Sequence, residues 1–538
     1  MQIYCFSPFG YEGSLVSVEV DLRRGIPAVD IVGLADSAVK ESRERMRCAI
    51  NNSGLAFPPE RVLINLSPAD LKKEGAGFDL AIALAVLTAK EKLERDETAF
   101  DTEELENQSS CGYSTGLSID ENEAVLVMGE LELNGKVRPV RAIHAAVSTA
   151  HAGGIRMCIV PKANAEEARE VTGMKVFGAE DLVEAFSALF NRDSFSKKNS
   201  GEEFSEAPED SVKVSGILFP PVTEESDFKY VTGQETLVRG LQIAAAGGHN
   251  ILAFGPPGCG KTLSMMKFSS ILPLLTKEES QTVTRIYSIA GLLAPGSNSI
   301  LRAPVRMPHQ TATIEGICGG GPHCQPGEIS LSHNGVLFID EAAEFKTSVL
   351  QMLRVPLESG SITLSRAGRS TVFPARFQLL LSTNPCPCGN YGSPDKICLC
   401  SSRSVEQYWR KFSGPLLDRI DIRVKVEGKK TSDEKVGISS FQLREEIAAA
   451  ICIQRKRQGK KNVFLTPSEI LEFCMMDDNA KKLLEKATQH YELSQRAVSG
   501  CIKLARTIAD MKQKEEIDGI SMEEAVKYRK PQGPLDMM

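Results

Sequence analysis

The sequence contains no apolar run that approaches the length of about 20 residues needed to cross a bilayer. Its first residues, 1–10, also lack the basic segment and the apolar stretch of a secretory signal. The first absence argues against a membrane protein, and the second argues against an exported one. We therefore expect a cytoplasmic protein that has no membrane partner.

An excess of positive charge is also missing, since the formal net charge is −7 at pH 7. Proteins that bind nucleic acid often show a basic footprint, so any contact with DNA must come from a local basic patch. Cysteine, in contrast, is abundant, with 14 residues. Without an export signal, we expect these residues to be thiols or metal ligands rather than disulfides.

A chain of 538 residues is long enough for roughly three domains, each with an ample core. Composition predicts a first domain at 1–190, followed by a linker at 191–215 that is rich in Ser, Glu, Asn and Lys. The motifs described below predict a core domain at 216–430 and a helical domain at 431–538.

The rest of the chain is organised around a complete phosphate-loop motif, G-x-x-x-x-G-K-[ST]. The motif consists of Gly255, Pro256, Pro257, Gly258, Cys259, Gly260, Lys261 and Thr262. The apolar run Asn250–Phe254 predicts a buried strand before it, and Leu263–Leu272 predicts a helix after it. Glycines let backbone N–H groups surround phosphates at a helix N-terminus. Lys261 would reach the outer phosphates, and the Thr262 hydroxyl would hold Mg²⁺. The bare pattern arises by chance in roughly two per cent of chains this long, so we interpret it as a nucleotide site.

Two later apolar runs end in polar residues that fit the same site. The run Gly335–Ile339 predicts a buried strand that delivers Asp340 and Glu341 at its carboxyl end, where Asp340 would support Mg²⁺ and Glu341 would polarise the attacking water. The run Phe377–Ser382 precedes Asn384, whose amide could orient that water. The alternatives are a surface Asp-Glu pair and an ordinary Asn-Pro turn. The apolar runs before both motifs favour the catalytic interpretation.

Two arginines are candidates for contacts with the terminal phosphate of ATP. Arg419 follows a short helix-like piece and could act as an arginine finger in a neighbouring subunit, which is worth about 10³–10⁵ in rate. The alternative for it is a salt bridge to Asp418 or Asp421. Arg496 lies in the first turn of a helix predicted over Ser494–Lys512, from which it could point at phosphates. The alternative for Arg496 is a solvated surface position.

Together these motifs resemble the AAA+ fold of the Mg-chelatase branch, and the whole chain resembles the ComM/YifB family. The matching stretches are Val32–Leu34, Val39–Ser42, Ala244–Asn250, Pro326–Leu331, Asn384–Gly389 and Leu504–Asp510. The resemblance implies an α/β fold that has an AAA+ parallel-sheet core, an N-terminal α+β domain like the Lon protease and a C-terminal helical lid. It further implies ATP and Mg²⁺ as cofactors, a homo-oligomeric ring, expected to be a hexamer, and action on DNA.

Several local signals describe the first domain. Asn134-Gly135 predicts a hairpin turn between strands at Val125–Leu133 and Lys136–Val140. Helices are predicted over Phe78–Lys90 and Ile143–His151, and strands over Arg61–Leu66 and Met157–Val160. The polar, acidic stretch Glu91–Glu123 predicts a surface insertion.

The order of these elements resembles the proteolytic domain of Lon. The resemblance includes Lys73-Glu74-Gly75, Gly129-Glu130-Leu131, Gly153-Gly154 and Val160-Pro161. A Lon-type peptidase needs a serine nucleophile and a lysine base, but Gly77 and His144 stand where these are expected. We therefore predict a protease fold without protease chemistry, in which His144 is an ordinary structural residue.

A second hairpin is predicted over Ile362–Pro374, where apolar and polar residues alternate around two arginines. We expect Arg366 and Arg369, at its tip, to contact a phosphodiester backbone. A solvated basic turn is an equally good interpretation of the sequence.

Four cysteines lie close together in the sequence as C-x-C … C-x-C, namely Cys386, Cys388, Cys398 and Cys400. In a reducing compartment they could bind a structural Zn²⁺ ion in tetrahedral geometry. The single-residue spacing is tighter than the usual two to four residues, and a loop of free thiols is the alternative.

The motifs predict an ATP-hydrolysing AAA+ ring motor, and the resemblance to the ComM/YifB family implies that it acts on DNA, as a helicase or in branch migration during recombination or natural transformation. One alternative is a chelatase-type motor that remodels a protein partner with ATP. A Lon-type protease is a further alternative, against which Gly77 and His144 argue directly.

Overall fold

A computed structural model describes residues 1–69, 71, 73, 75–105, 124–191, 194–197, 208, 210–293, 299–366, 369–392, 396–427 and 437–530. Parts of several predicted features lie outside these residues: Glu74, the end of the insertion at 106–123, most of the linker and the hairpin tip at 367–368. No helix in the described part of the chain combines the length and the apolar character needed to span a bilayer.

The first domain is built on a mixed sheet of eight strands. In spatial order these strands are Ser196–Lys197, Lys175–Ala179, Met157–Pro161, Ala124–Val127, Gln2–Ser7, Ser14–Arg23, Arg61–Ser67 and Val29–Val32. Its helices are Ser37–Asn52, Asp79–Leu105, Ile143–Ala152, Ala165–Arg169 and Leu182–Phe190, with short 3₁₀ turns at Ala76–Phe78 and Lys162–Asn164. Alternate burial within the strand Arg61–Ser67 follows from the period of two of a strand whose two faces differ.

The predicted elements of this domain are present, with three differences. The Asn134-Gly135 hairpin is shorter than predicted, since only Glu130–Leu131 and Val137–Arg138 pair. The helix that begins at Asp79 continues to Leu105, so the start of the predicted surface insertion is helical. Ser196–Lys197, which the sequence places in the linker, pairs with the edge of the sheet.

The core domain contains a parallel sheet of five strands. In spatial order they are Val305–Arg306, Val336–Ile339, Gln378–Thr383, Ile251–Phe254 and Ile422–Lys425. The central strands are buried along their whole length, as expected for a parallel sheet with helices on both faces. Parallel pairing places the carboxyl ends of all strands on one side of the sheet, here called the carboxyl edge, and their amino ends on the opposite side, the amino edge. Ligands bind at the carboxyl edge of such sheets.

The helices of the core are Glu235–Gly247, Lys261–Met266, Lys277–Ala290, Ile314–Cys318, Glu328–Leu331, Thr347–Met352, Arg354–Ser359, Ser402–Trp409 and Gly414–Leu417. Its 3₁₀ turns are Phe228–Tyr230, Lys267–Ile271, Ala342–Glu344 and Arg410–Phe412. Its two-stranded pairs are Val212–Val214 with Ile217–Phe219, Gly319–Gly320 with Gln325–Pro326, and Ser361–Arg366 with Arg369–Pro374. The predicted helix after the phosphate loop is α-helical only to Met266 and then tightens into the 3₁₀ turn.

The C-terminal domain is helical, with helices at Ser440–Gln458, Pro467–Phe473, Asp478–His490, Gln495–Met511 and Gly519–Arg529 and a 3₁₀ turn at Asn462–Phe464. Its apolar residues form one buried cluster with those of the core sheet. A buried polar link adds to this contact, because the imidazole of His249 lies 3.0 Å from Asp421 Oδ2 and 2.8 Å from Thr507 Oγ1. The helical domain is therefore held on the amino-end edge of the parallel sheet, where His249 precedes the strand Ile251–Phe254.

The first domain also packs directly on the core. The carboxylate of Glu167 accepts a hydrogen bond of 2.6 Å from Ser288 Oγ, and Glu170 accepts one of 2.7 Å from Ser299 Oγ. Nearby, the guanidinium of Arg285 lies 4.6 Å from the ring centre of Tyr11 and donates to the Tyr11 carbonyl at 3.1 Å. Buried carboxylates that accept hydrogen bonds across an interface fix how the two domains sit together.

Candidate nucleotide-binding site

The phosphate loop has the backbone that its glycines allow. Gly258 and Gly260 have φ values of +79° and +85°, which residues with a Cβ rarely adopt. A Cβ on Gly255 would lie 2.1 Å from the Val426 carbonyl oxygen, so the backbone just after the strand Ile422–Lys425 excludes any side chain there. The helix that begins at Lys261 follows Gly260 directly, which directs its free N–H groups toward the loop.

The ammonium of Lys261 is held inside this loop. It donates to the carbonyls of Gly255 and Pro256 at 2.7 and 2.9 Å and lies 3.5 Å from Asn384 Oδ1. The side chain is buried, at 7% exposure. Lys261 and Asn384, which lie far apart in the sequence, therefore meet at the same point, as the strand-end argument predicted.

Thr262 and Asp340 also meet. The Thr262 hydroxyl lies 3.1 Å from both carboxylate oxygens of Asp340. A hydroxyl and a carboxylate are ligands that Mg²⁺ accepts in sites completed by waters and phosphate oxygens. The donor set at this place thus fits the metal that the sequence predicted.

Glu341 projects beside this pair from a strained backbone position. Its φ of +49° is in the left-handed region, which is uncommon for a residue other than glycine and often marks a functional site. Its carboxylate is exposed and accepts a hydrogen bond from the amide of Gln310. Glu341 can therefore reach a water molecule, and Gln310 holds it in a defined position.

Sequence reasoning missed three polar partners of this site. Ser382 donates to the Asp340 carboxylate, Gln310 donates to Glu341, and the Gln234 amide donates to the Cys259 carbonyl in the phosphate loop. Ser382 carries a usable signal, because a hydroxyl inside an apolar strand needs a partner. The two glutamines carry none, since each lies in an irregular segment that only the fold brings close.

The two candidate arginines lie together, but away from the phosphate loop of the same chain. Arg419 and Arg496 both form ion pairs with the carboxylate of Glu358. Arg419 is largely buried, at 11% side-chain exposure, and its guanidinium also donates to the Pro415 carbonyl at 2.6 Å. Hydrogen bonds and charge from Arg419 first, and then Arg496, lower the pKa of Glu358. The alternative interpretation of Arg419, a salt bridge to Asp418 or Asp421, was wrong, because Arg419 pairs with Glu358 instead.

The position of Arg419 follows from the core sheet. Its carbonyl accepts a hydrogen bond of 2.9 Å from the side chain of Asn250, which precedes the strand Ile251–Phe254. The phosphate loop begins after that strand, at Gly255. A strand rises about 3.3 Å per residue, so Asn250 and Gly255 are about 16 Å apart. Arg419 and Arg496 therefore stand at the opposite edge of the sheet from the phosphate loop of their own chain.

The second predicted hairpin is present, and Arg366 pairs with Arg369 in its register. The residues between them lie outside the described residues. Arg366 is exposed, whereas the guanidinium of Arg369 stacks 3.7 Å from the ring centre of Phe9 in the first domain. The same hairpin accepts a hydrogen bond of 3.0 Å at Thr371 Oγ1 from the backbone N–H of Tyr11. The alternative interpretation, a solvated basic turn, therefore fits the exposed Arg366 better than Arg369, which contacts Phe9.

The four cysteines of the C-x-C … C-x-C motif come together, with their sulfur atoms within 4.8 Å of one another.

In the first domain, a Cβ on Gly77 would have no neighbour closer than 3.8 Å, so there is room for a side chain at this position. His144 is buried, and burial together with the charge of Arg285 lowers its pKa to about 4. A neutral, enclosed imidazole agrees with the structural role that the sequence predicted for His144.

Known proteins resemble this chain over almost its whole length. It is 37% identical over 532 residues to the protein YifB of Escherichia coli, which covers 98% of this chain and 96% of YifB. The chain belongs to the ComM/YifB family. Competence protein ComM of Haemophilus influenzae, another member, is 35% identical over 98% of this chain and 97% of its own.

The ComM/YifB chain also matches the family of the magnesium chelatase subunit ChlI. The model of that subunit matches residues 227–434, a second ChlI model matches 18–117 and 112–164, and the model of the ChlI C-terminal part matches 437–529. The 38 kDa subunit of the magnesium chelatase of Rhodobacter capsulatus is 26% identical over 29% of this chain and 50% of its own. The core described above is thus a Mg-chelatase-like AAA+ domain, an ATPase-type core with C-terminal helices.

Proposed function

We propose that this ComM/YifB protein is a ring-forming ATPase that uses ATP hydrolysis to move DNA strands, as a helicase or branch-migration motor. The observation that carries the proposal is the separation of Lys261 from Arg419 to opposite edges of one parallel sheet. A second subunit is needed to bring both groups to one ATP. The name of the related competence protein ComM supports DNA as the substrate.

The nucleotide-binding half of the site consists of the phosphate loop and its two metal partners. Backbone N–H groups of the loop and Lys261 would bind the β- and γ-phosphates. Thr262 and Asp340 would hold Mg²⁺, which supplies positive charge to the phosphate oxygens when it is bound. Ser382 keeps the Asp340 carboxylate in place by its hydrogen bond.

The chemical step needs a base and a way to stabilise the leaving charge. Glu341 takes a proton from water as the water oxygen attacks the γ-phosphorus, and the bond to the bridging oxygen breaks, which leaves ADP and phosphate. The amide of Gln310, which donates to the Glu341 carboxylate, would orient this base. Arg419 of the adjacent subunit would neutralise the charge on the γ-phosphate, with Arg496 beside it.

Contact with DNA would come from the hairpin whose tip carries Arg366 and Arg369. In a chain of net charge −7, these arginines supply a local cationic point where a phosphodiester backbone can bind. Arg366 is the more exposed of the two. The stacking of Arg369 on Phe9 would fix the position of the strand that begins at Arg369.

The test compares ATP turnover with single-stranded DNA, with forked DNA, with a casein-like protein and with no addition, together with strand displacement. We expect stimulation by DNA and no release of peptides from the protein. Arg366→Ala should weaken DNA binding and flatten its salt dependence by about one unit of slope. Arg410→Ala, which removes an arginine that is 69% exposed elsewhere on the core, is the matched control.

A chelatase-type motor that remodels a protein partner is the second candidate, and the matches to the ChlI subunit favour it. The same assay separates the two candidates. If DNA changes neither ATP turnover nor ring formation, the motor on DNA is ruled out and the chelatase-type motor is retained.

A further inference from the structure

A cluster of four thiols lies beside the nucleotide site, in the loop that follows the strand Gln378–Thr383. The sulfur of Cys386 lies 3.4 Å from that of Cys388 and 3.7 Å from that of Cys398, and Cys388 and Cys398 are 3.6 Å apart. Cys400 completes the group. All four are free cysteines.

These separations are those of a tetrahedral metal site. A Zn–S bond of about 2.3 Å places the sulfurs of a regular tetrahedron about 3.8 Å apart. The backbone N–H of Tyr391 also donates to the sulfur of Cys386 at 3.3 Å, as expected for a thiolate ligand whose remaining charge needs hydrogen-bond donors. Cys386 is fully buried, while Cys388 remains exposed at the rim of the cluster.

The loop that carries this cluster touches the phosphate loop. A Cβ on Gly389, between the ligand pairs, would lie 2.7 Å from Pro257 Cδ, so the two loops are in direct contact. On its other side the cluster begins only two residues after Asn384, which lies 3.5 Å from the Lys261 ammonium. The indole N–H of the buried Trp409 donates to the Pro385 carbonyl at 2.9 Å, which fixes the backbone between Asn384 and the first ligand.

We propose that Cys386, Cys388, Cys398 and Cys400 bind one structural zinc ion, and that this ion holds Asn384 and the phosphate loop in their working positions. The metal site stands on the geometry of the thiols alone. Its supporting role rests on the proposed ATPase function, because it concerns residues of that site. Without the ion, nothing ties the four thiols together. The loop that carries Gly389 is then no longer held in its position against Pro257.

The first experiment measures metal in the full-length protein, purified without added zinc and without chelators. We expect about one zinc ion per chain, with about four sulfur neighbours at about 2.3 Å in X-ray absorption. Cys388→Ser should lower the zinc content several-fold, and Cys48→Ser, which changes an exposed thiol far along the chain, should leave it unchanged. Replacement of zinc by Co²⁺ should give the visible absorption of a tetrahedral thiolate site.

The second experiment removes zinc from the wild-type protein with a chelator and measures the affinity for a fluorescent ATP analogue, with zinc added back as the control. We expect affinity to fall by about ten-fold and to recover, since small displacements of positioning groups cost up to about 10² in rate or binding. Protein that contains no zinc and takes up no Co²⁺ overturns the metal site. A zinc-loaded protein whose affinity is unchanged by chelation overturns the supporting role. Neither metal measurement depends on ATP hydrolysis, so failure of the ATPase proposal is seen separately.

Discussion

The two edges of the parallel sheet of the core differ in the kind of chemistry they carry. At the carboxyl edge, the Lys261 ammonium donates a hydrogen bond to a carbonyl of the phosphate loop. The Thr262 hydroxyl lies within hydrogen-bond distance of the Asp340 carboxylate. At the amino edge, Arg419 and Arg496 share a single carboxylate, Glu358, and no phosphate-binding loop is near them among the described residues.

This difference supports the proposal that each chain carries two unlike halves of a catalytic site. In that proposal, the phosphate loop with Lys261 binds the nucleotide, and the amino edge offers Arg419 and Arg496 to the nucleotide of a neighbour. Surfaces that are complementary in this head-to-tail way close into rings when the rotation between neighbours permits it. Substitutions at either edge test whether the two halves depend on each other.

Replacement of Lys261 by alanine should have the largest effect. It removes the ammonium that the loop carbonyls hold, and we expect ATP turnover to fall by at least about 10²–10³-fold, as when one transition-state contact is lost. Lys277→Ala, at an exposed position on the next helix, is the control. Turnover at the parental rate in the Lys261 variant would mean that the carboxyl edge is not the nucleotide site.

Arg419→Ala should lower turnover by about 10³-fold or more while leaving the affinity for ATP nearly unchanged, because the lost charge acts on the transition state of a neighbour. The decisive measurement mixes this variant with Lys261→Ala. Random rings would then contain intact sites at about one quarter of their interfaces, so we expect activity to reappear. If the mixture stays as inactive as its components, Arg419 does not act between subunits.

Arg496→Ala should have a smaller effect, of about 10–100-fold, because this side chain is 46% exposed and would contact the phosphate beside Arg419 rather than in its place. Arg496→Lys keeps the charge but loses the planar fork, and we expect partial activity from it. Turnover measured at saturating ATP distinguishes the three proteins. A variant with full activity would leave Arg496 as a surface residue.

Glu358→Gln should have the smallest effect. The ion pairs that it loses are partly exposed, and such pairs contribute about 0–1 kcal/mol to the free energy of unfolding. Since the arginines lower the pKa of Glu358, the pairs are complete above the ordinary glutamate value of 4.5 and are lost as the pH falls through the lowered value. The difference in the free energy of unfolding between the two proteins, measured with denaturant, should therefore be smaller at pH 4 than at pH 7. A loss of turnover as large as that of Arg419→Ala would show that the carboxylate itself takes part in catalysis.

Sequence patterns predicted which groups meet at the carboxyl edge, because each of these groups follows an apolar run or lies in a glycine-rich motif. Once parallel strands are inferred from buried runs, their ends must meet, which is why Lys261 and Asn384 lie together as expected. The strand and helix signals of the first domain also lie close to the observed elements. The Lon-like character of that domain stays a prediction.

The amino edge could not be predicted in the same way. Arg419 and Arg496 come from different domains, and Glu358, which joins them, lies in a short helix with no motif. The helix from Asp79 to Leu105 was missed beyond Lys90 because its later residues are polar, and polar composition alone does not end a helix. Likewise, the stacking of Arg369 on Phe9 depends on how two domains pack, which no local pattern contains.

The hairpin Ser361–Pro374 is fastened to the first domain by the hydrogen bond between Tyr11 and Thr371, by the stacking of Arg369 on Phe9, and by the edge-on contact of Tyr11 with Phe373. A force on the strand Arg369–Pro374 is consequently transmitted to residues near the start of the chain. If the hairpin moves during ATP hydrolysis, as the proposed motor requires, either these contacts break in each cycle or the first domain moves with the hairpin. In the proposed motor, force on a bound strand would thus be shared between two domains.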